Sequence, residues 1–368
     1  MSHDPVPFSN AKASDFEREH RLTEIRREAE TRGQVKLKGV RPIGAPFPRA
    51  SAETGYYGIP LLKPPQWTNE IPLYFFVGGA AGAAAVIGAM AHYTGADRKL
   101  VRDARYLAAA GAIISPALLV ADLGRPERFL GMLRVFKPQS PMSVGSWTLV
   151  GFGGAATAAA FAGILRERYG PSFPVSVLEK VGNAASIPFG LGLASYTGVL
   201  IGATAIPVWN QNISDLPMHF AASGLNAAVG LLELFGNEKS RALQALGLGA
   251  AIFEIWEGVR IEGRTQSHLD PLKHGKSGAI TRVGGVLSGP VPTALRIASA
   301  FASRTRGTSL RRWAALSSVA GSLLTRFAWI QAGRASAQDW RQPLEIPPDA
   351  QSWPDKHPKS ASRSKALP

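Results

Sequence analysis

The stretch Pro116–Trp147, PALLVADLGRPERFLGMLRVFKPQSPMSVGSW, holds the end of one apolar segment, a basic amphipathic link and the start of a second apolar segment. The first segment closes at Asp122, where a carboxylate opposes the helix dipole and, at a membrane border, needs a partner. Arg125 and Arg128 follow within two turns and are placed to compensate it. From Pro126 the spacing predicts a helix with Phe129, Met132, Leu133 and Phe136 on one face and Glu127, Gly131 and Arg134 on the other. Such a helix lies flat on a membrane surface and offers its charge to a soluble partner.

On either side of this link the chain continues as apolar segments. Eight reach the length of about 20 residues that spans a bilayer core: Ile71–Tyr93, Ala104–Asp122, Val144–Leu165, Ile187–Trp209, Leu216–Phe235, Ser240–Ile261, Ala279–Phe301 and Leu310–Arg334. The mean hydropathy of +0.01 hides them, because the apolar content is packed between polar ends. The reading is an all-α integral membrane protein with eight transmembrane helices. Residues 1–66 form a polar N-terminal tail, 67–209 and 210–334 hold four spans each, and 335–368 form a C-terminal tail. Gly78, Gly82 and the group Gly151, Gly153 and Gly154 suit close helix approach in lipid. A soluble Ala-rich protein would have to bury eight such segments in water.

The 368 residues contain no cysteine, so the chain has no disulfide, iron–sulfur ligand or thiolate metal site of its own. Its net charge of +15 lies in loops and tails rather than on one soluble basic face. That argues for anionic lipid and an acidic partner over nucleic acid. Residues 1–30 are charged throughout and lack the apolar core of a signal peptide. An even number of spans puts both termini and the Asp122–Val144 link at one membrane face. The opposite connections, around Arg98, Arg166, Lys239 and Arg304, are the more basic, which leans them to the cytoplasmic side. The basic N-terminal tail argues the reverse, and orientation stays open.

Of seven histidines, only His92 and His219 lie within spans, near opposite faces. A haem held by two intramembrane histidines is therefore excluded. The second half carries ionisable residues at membrane depth. Glu254 and Glu257 share a helix face, and Glu254 lies about 5 Å from its span centre at 1.5 Å per residue. Arg326 has a similar depth, so it is expected to pair with Glu254 or Glu257. Glu233 and Arg296 lie comparably close to the opposite face and suit a second pair. These five residues suit either structural ion pairs or a proton path. Pro116, after Ser115, frees a backbone carbonyl and kinks the second span.

The residues Asp122-Leu-Gly-Arg125-Pro126-Glu-Arg128-Phe129, Met132-Leu-Arg134, Ser140-Pro141-Met142-Ser143 and Gly145-Ser146-Trp147 resemble the NrfD/PsrC family, the polysulfide-reductase-type integral membrane subunits. Supporting likenesses are Tyr74–Gly82, Tyr196-Thr-Gly198, Leu216-Pro-Met-His219-Phe with Ser223-Gly224, and Arg326-Phe with Ala332-Gly. Together they run from about Tyr56 to Arg334, and the segment Tyr56–Phe76 is most similar to subunits associated with formate dehydrogenases. The resemblance implies a multi-pass protein of the bacterial inner (cytoplasmic) membrane, with two four-helix bundles and no prosthetic group. It implies docking to a four-cluster ferredoxin-like iron–sulfur subunit, which in turn meets a molybdopterin catalytic subunit. It also implies a quinone or menaquinone, bound as exchangeable substrate in the first bundle.

With neither haem nor cysteine, electrons have no route through this chain alone, so the quinone has to sit near the partner's clusters. Quinone chemistry needs hydrogen-bond donors, a proton source and a flat apolar slot. Candidates at the face of the Asp122 link are Trp67, Asn69, Glu70, Tyr74, Asp122 and Trp147, with Tyr196 deeper in the fourth span. The resemblance implies polar residues at the start of the first helix and a tyrosine on the fourth. Where relatives carry histidine in the first helix, this chain offers Asn69 and Glu70. Arg125, Arg128, Arg134 and Lys137 are the candidate partner-docking residues. Blander roles compete: Trp67, Tyr74 and Trp147 also suit an interfacial aromatic belt, and Asp122 with Arg125 suits a structural cap. The competing functions are a proton or small-solute transporter, which would show broken helices and an inverted repeat, and a purely structural anchor.

Overall fold

The computed structural model describes residues 61–123, 127–339 and 341–344, together with residues 20, 23, 24, 27, 28 and 31. The chain divides into two compact units, Met1–Pro46 and Phe47–Pro368. In the first unit the described residues are helical, and His20 lies 3.7 Å from Glu24 one turn on. The apolar segments all belong to the second unit, which is helical throughout its regular structure among the described residues.

Helices α1 (Glu70–Tyr93) and α2 (Arg98–Asp122) lead into a short α3 (Arg128–Met132). Then come α4 (Pro141–Tyr169), α5 (Phe173–Gly202) and a single turn, α6 (Pro207–Asn210). Next are α7 (Leu216–Leu232), prolonged by a π-helical turn Glu233–Asn237, and α8 (Arg241–Gly263). After the one-turn α9 (Asp270–Lys273) follow α10 (Gly275–Ser288), α11 (Pro290–Phe301) and α12 (Arg304–Gln338). Six helices, α1, α2, α4, α5, α7 with its π turn, and α8, are long and apolar enough to cross a membrane.

Local chemistry sets these limits. Asp97 caps α2 by accepting the Lys99 N–H at 3.0 Å. Pro141 opens α4 behind Ser140, a proline position that forfeits no helical hydrogen bond. Gly170 ends α4 with φ 83°, a left-handed conformation that costs glycine little. Gly236, with φ 92°, turns the chain out of the π segment.

The structure corrects four boundaries. The second helix starts at Arg98, not Ala104. The fourth is not Ile187–Trp209 but Phe173–Gly202, with Trp209 on the separate α6. The seventh segment, Ala279–Phe301, breaks at Gly289, because Pro290 lacks the N–H that would continue α10. The link helix stops at Met132 rather than reaching Phe136. There Ser143 Oγ accepts the Lys137 N–H at 3.0 Å and holds the link as a turn. Phe136 is exposed and meets Trp147 edge-on at 6.3 Å.

Helices α1, α2, α4 and α5 pack on one another, as do α7, α8, α10, α11 and α12. α1 is shared, touching α2, α5, α7 and α12. Its Ala and Gly residues permit this closeness: a Cβ on Gly82 would stand 2.5 Å from the Gly190 carbonyl oxygen of α5. Gly151 lies beneath the Phe189 ring, Gly78 makes ordinary contacts, and Gly153 and Gly154 face open space. Large apolar side chains point outward along the helices, among them Ile113, Phe161, Ile252, Trp256, Val283 and Trp313. An apolar exterior around an interior of small and polar residues is the inverse of a soluble bundle.

Candidate functional site

The start of α1 is held by the end of α2. The Thr68 N–H donates to Asp122 Oδ1 at 2.9 Å, and the Thr68 hydroxyl donates to the same oxygen. Asp122 is therefore a cross-link between helix ends, which answers its unfavourable position on the α2 dipole. Arg125 lies outside the described residues, as does the Arg128 side chain. Arg334 of α12 donates to the Trp67 carbonyl.

These contacts fix Trp67, whose indole stacks on Trp209 at 5.5 Å and 18°. Trp209 is fully buried, donates its Nε1–H to the Trp329 carbonyl at 2.9 Å, and lies on Gly333 of α12. Phe75 meets Trp67 edge-on at 6.2 Å and Tyr74 at 5.7 Å. Tyr74 is 2% exposed, and its hydroxyl has no hydrogen-bond partner among the described residues. Tyr196 of α5 is also buried. Its ring rests on Gly145, and its hydroxyl donates to the Pro141 carbonyl at 2.5 Å, where the first turn of α4 leaves that oxygen within reach.

Trp67, Tyr74, Asp122 and Tyr196 thus converge at one end of the α1–α2–α4–α5 group. Three other candidates do not join them closely. Asn69 is exposed and makes no side-chain cap, and Glu70 is half-buried. Trp147, two residues past Gly145 and so on another face of α4, is 39% exposed beside Phe136. Arg134 and Lys137 are exposed on the link. Sequence reasoning missed Thr68, Trp209 and Arg334; the signal available for Trp209 was its fall just past a helix end, level with Trp67.

The aromatic set continues into the other helix group, from Phe75 to Phe220 at 6.0 Å and on to Trp329 at 6.5 Å. Trp329 Nε1 donates to His219 Nε2 at 2.8 Å. An indole N–H only donates, so His219 Nε2 accepts, and the imidazole proton lies on Nδ1, which contacts the Glu257 carboxylate. Glu254, also buried, accepts from Ser288 Oγ at 3.3 Å. The expected pairing of Arg326 with Glu254 or Glu257 is not found. Arg326 is completely buried, donates to the Phe220 carbonyl at 2.7 Å, and lies 4.1 Å over the Phe220 ring. Glu254 Oε1 and Arg326 Nε and Nη1 are buried without a protein partner. At the far end, Arg296 Nη1 donates to Glu233 Oε1 at 2.5 Å, both side chains buried.

The sequence profile of the family described as polysulphide reductase, NrfD, matches residues 63–248. No curated protein matches the chain.

Proposed function

The chain belongs to the polysulphide reductase NrfD family, and from that membership we propose that it is the membrane subunit of a polysulphide-reductase-like complex and reacts there with quinone. In this reading α10–α11 and α12 add two crossings to the six, giving eight in two bundles of the bacterial cytoplasmic membrane. The substrate is a quinone or menaquinone, and the reaction is exchange of two electrons and two protons with it. The electrons pass to or from an iron–sulfur subunit docked over the link that carries Arg134 and Lys137, and that subunit serves a molybdopterin catalytic subunit.

The observation that carries the proposal is the Tyr74 hydroxyl. It belongs to a side chain that is 2% exposed near Tyr196, makes no hydrogen bond among the described residues, and adjoins an aromatic wall in which Phe75 stands edge-on to the Trp67–Trp209 stack. A phenolic O–H that makes no hydrogen bond within the protein is a free donor, and a bound carbonyl oxygen would accept from it. Tyr74 then donates to the quinone oxygen, the wall orients the ring, and Asp122 positions the wall through Thr68.

Quinone turnover by the complex purified with its partners tests this. Tyr74→Phe should lower it by about tenfold, as the loss of one hydrogen bond worth about 1.4 kcal/mol would. Asp122→Asn keeps the acceptor for Thr68 and should stay within about threefold of wild type, whereas Asp122→Ala should lose turnover as Trp67 is released. Unchanged turnover in Tyr74→Phe overturns the site. A large loss in Asp122→Asn would make Asp122 a proton donor instead.

A second reading concerns the α7–α8–α12 interior. The unpartnered Glu254 Oε1 and Arg326 Nε and Nη1 favour ordered water there, and with Glu257 and His219 they form a set able to relay protons. In proteoliposomes carrying the whole complex and a pH-sensitive dye, Glu254→Gln should abolish any quinone-driven proton uptake yet leave quinone turnover at least half intact. Equal loss of both would reduce this set to a structural role.

A further inference from the structure

At the end of α1, α2, α4 and α5 farthest from Tyr74 lies a cavity of about 670 Å³. Four arginines, Arg98, Arg102, Arg105 and Arg166, line it against two carboxylates, Glu167 and Glu179, so two positive charges are in excess. Glu179 sits between two of the arginines, 3.0 Å from Arg105 Nη2 and 2.6 Å from Arg166 Nη1, with His92 Nδ1 at 3.8 Å. One carboxylate cannot satisfy two guanidiniums. Arg105 is 7% exposed, its Nε is fully buried without a partner, and its Nη1 lies against Gly163 with none among the described residues. Among the described residues Arg102 reaches Asp103 Oδ1 alone, at 3.6 Å, while Lys99 and Asn237 donate to the other oxygen, Oδ2, so one carboxylate charge is shared between Arg102 and Lys99. Arg98 is exposed and unpaired among the described residues.

A purely structural clamp explains Glu179 with Arg105 and Arg166. It leaves unexplained a concave opening lined by two further exposed guanidiniums, Arg98 and Arg102. The buried Arg105 has Glu179 as its counter-charge, but that carboxylate is shared with Arg166, so the cluster keeps one positive charge in excess. A tetrahedral anion with several acceptor oxygens meets the forked donors of arginine well.

The surroundings say how that anion is carried. Tyr106 and Ile164 line the same cavity. From them an exposed apolar stripe continues down α2 to Ile113, seven residues on, and along α4 to Phe161, three residues back. Tyr93, Tyr169 and Phe173 stand exposed at the same end, at the level where aromatic side chains mark the lipid–water border. A basic pocket opening onto an apolar stripe at that level fits an amphiphile.

We propose that this cavity binds the phosphate headgroup of an anionic phospholipid, with the phosphodiester on Arg98, Arg102 and Arg105 and an acyl chain along Tyr106, Ile164 and Phe161. The shared chemistry with a free phosphate is the oxyanion; the apolar stripe assigns it to lipid.

The test uses the intact complex in detergent and reads retained lipid by native mass spectrometry, with phosphatidylglycerol, phosphatidylcholine or inorganic phosphate added. Wild type should retain phosphatidylglycerol over phosphatidylcholine. Arg98→Gln/Arg102→Gln removes two exposed charges and should weaken that retention about tenfold or more. Ile164→Trp keeps every charge but fills the cavity mouth, and it should weaken retention as well, which loss of general surface charge would not explain. Thermal unfolding checks that both variants are folded. The proposal is overturned by equal retention of the two lipids in wild type, or by unchanged retention in either folded variant. Displacement of the lipid by inorganic phosphate alone makes the site a free-phosphate site and overturns the lipid assignment.

Discussion

Glu233→Ala is expected to destabilise the protein by about 3–5 kcal/mol, because it strands a buried arginine. Glu233 is completely buried in the π turn that ends α7, and Arg296 of α11 reaches it across Gly247 of α8. The pair is only partly satisfied: Glu233 Oε2 and Arg296 Nε and Nη2 have no protein partner. Removing the carboxylate leaves the guanidinium with no compensating charge at its one bonded nitrogen. The double variant Glu233→Met/Arg296→Met removes both charges and fills similar volume, so it should recover most of the loss. Thermal unfolding in detergent of wild type, Glu233→Met, Arg296→Met and the double variant measures the coupling. A double variant no more stable than Glu233→Ala would mean that the pair is not what holds α7, α8 and α11 together.

The long apolar helices were legible because their signal is compositional: α1, α2, α4 and α12 each contain the segment expected from length and hydropathy, as does α7 with its π turn, and α8 misses only the capping Ser240. The failures have separate causes. The first turns of α5 contain Glu179, Lys180 and Asn183, so hydropathy placed the segment too late. What buries Glu179 is Arg105 and Arg166, contacts 74 and 13 residues away in sequence. Gly289-Pro290 was visible in the sequence, but the apolar residues on both sides masked a break in the helix. On the link, the apolar spacing to Phe136 was real, yet a side chain from the next helix, Ser143, took over the backbone donor at Lys137.

The site divides along the same line. Trp67, Tyr74 and Asp122 were candidates because each is a chemically distinctive residue near a helix end, and Tyr196, deeper in its span, because of the family resemblance of Tyr196-Thr-Gly198. Their neighbours were not legible, since stacking on Trp209 and the hold of Arg334 depend on how α6 and α12 fold back over α1. In the other helix group, counting residues gave the depth of Arg326 but not the direction in which it points. Its guanidinium turns onto the Phe220 ring and carbonyl, and His219 takes the carboxylate of Glu257. Depth follows from one helix alone; azimuth needs the neighbours. The rings of Tyr74, Phe75, Phe220 and Trp329 then form a packed row from the proposed quinone wall to His219.

Gly145→Ala should lower quinone turnover by about a hundredfold, the size of effect that a displacement near 1 Å can have on a reacting geometry. The added methyl would occupy the space of the Tyr196 ring, with its Cζ, hydroxyl oxygen and Cε1 all in the way. Both elements are constrained, because Tyr196 is buried on α5 and Gly145 lies in the second turn of α4. Tyr196 must leave the Pro141 carbonyl, and overpacking of this kind costs about 1–3 kcal/mol. Stability and function separate in the double variant Gly145→Ala/Tyr196→Leu. Truncating the ring makes room for the methyl, so the unfolding temperature should return toward wild type. Turnover should stay low, because the ring that borders Tyr74 is gone. If turnover returns together with stability, Tyr196 contributes packing alone, and the proposed quinone contact rests on Tyr74 and the Trp67 wall without it.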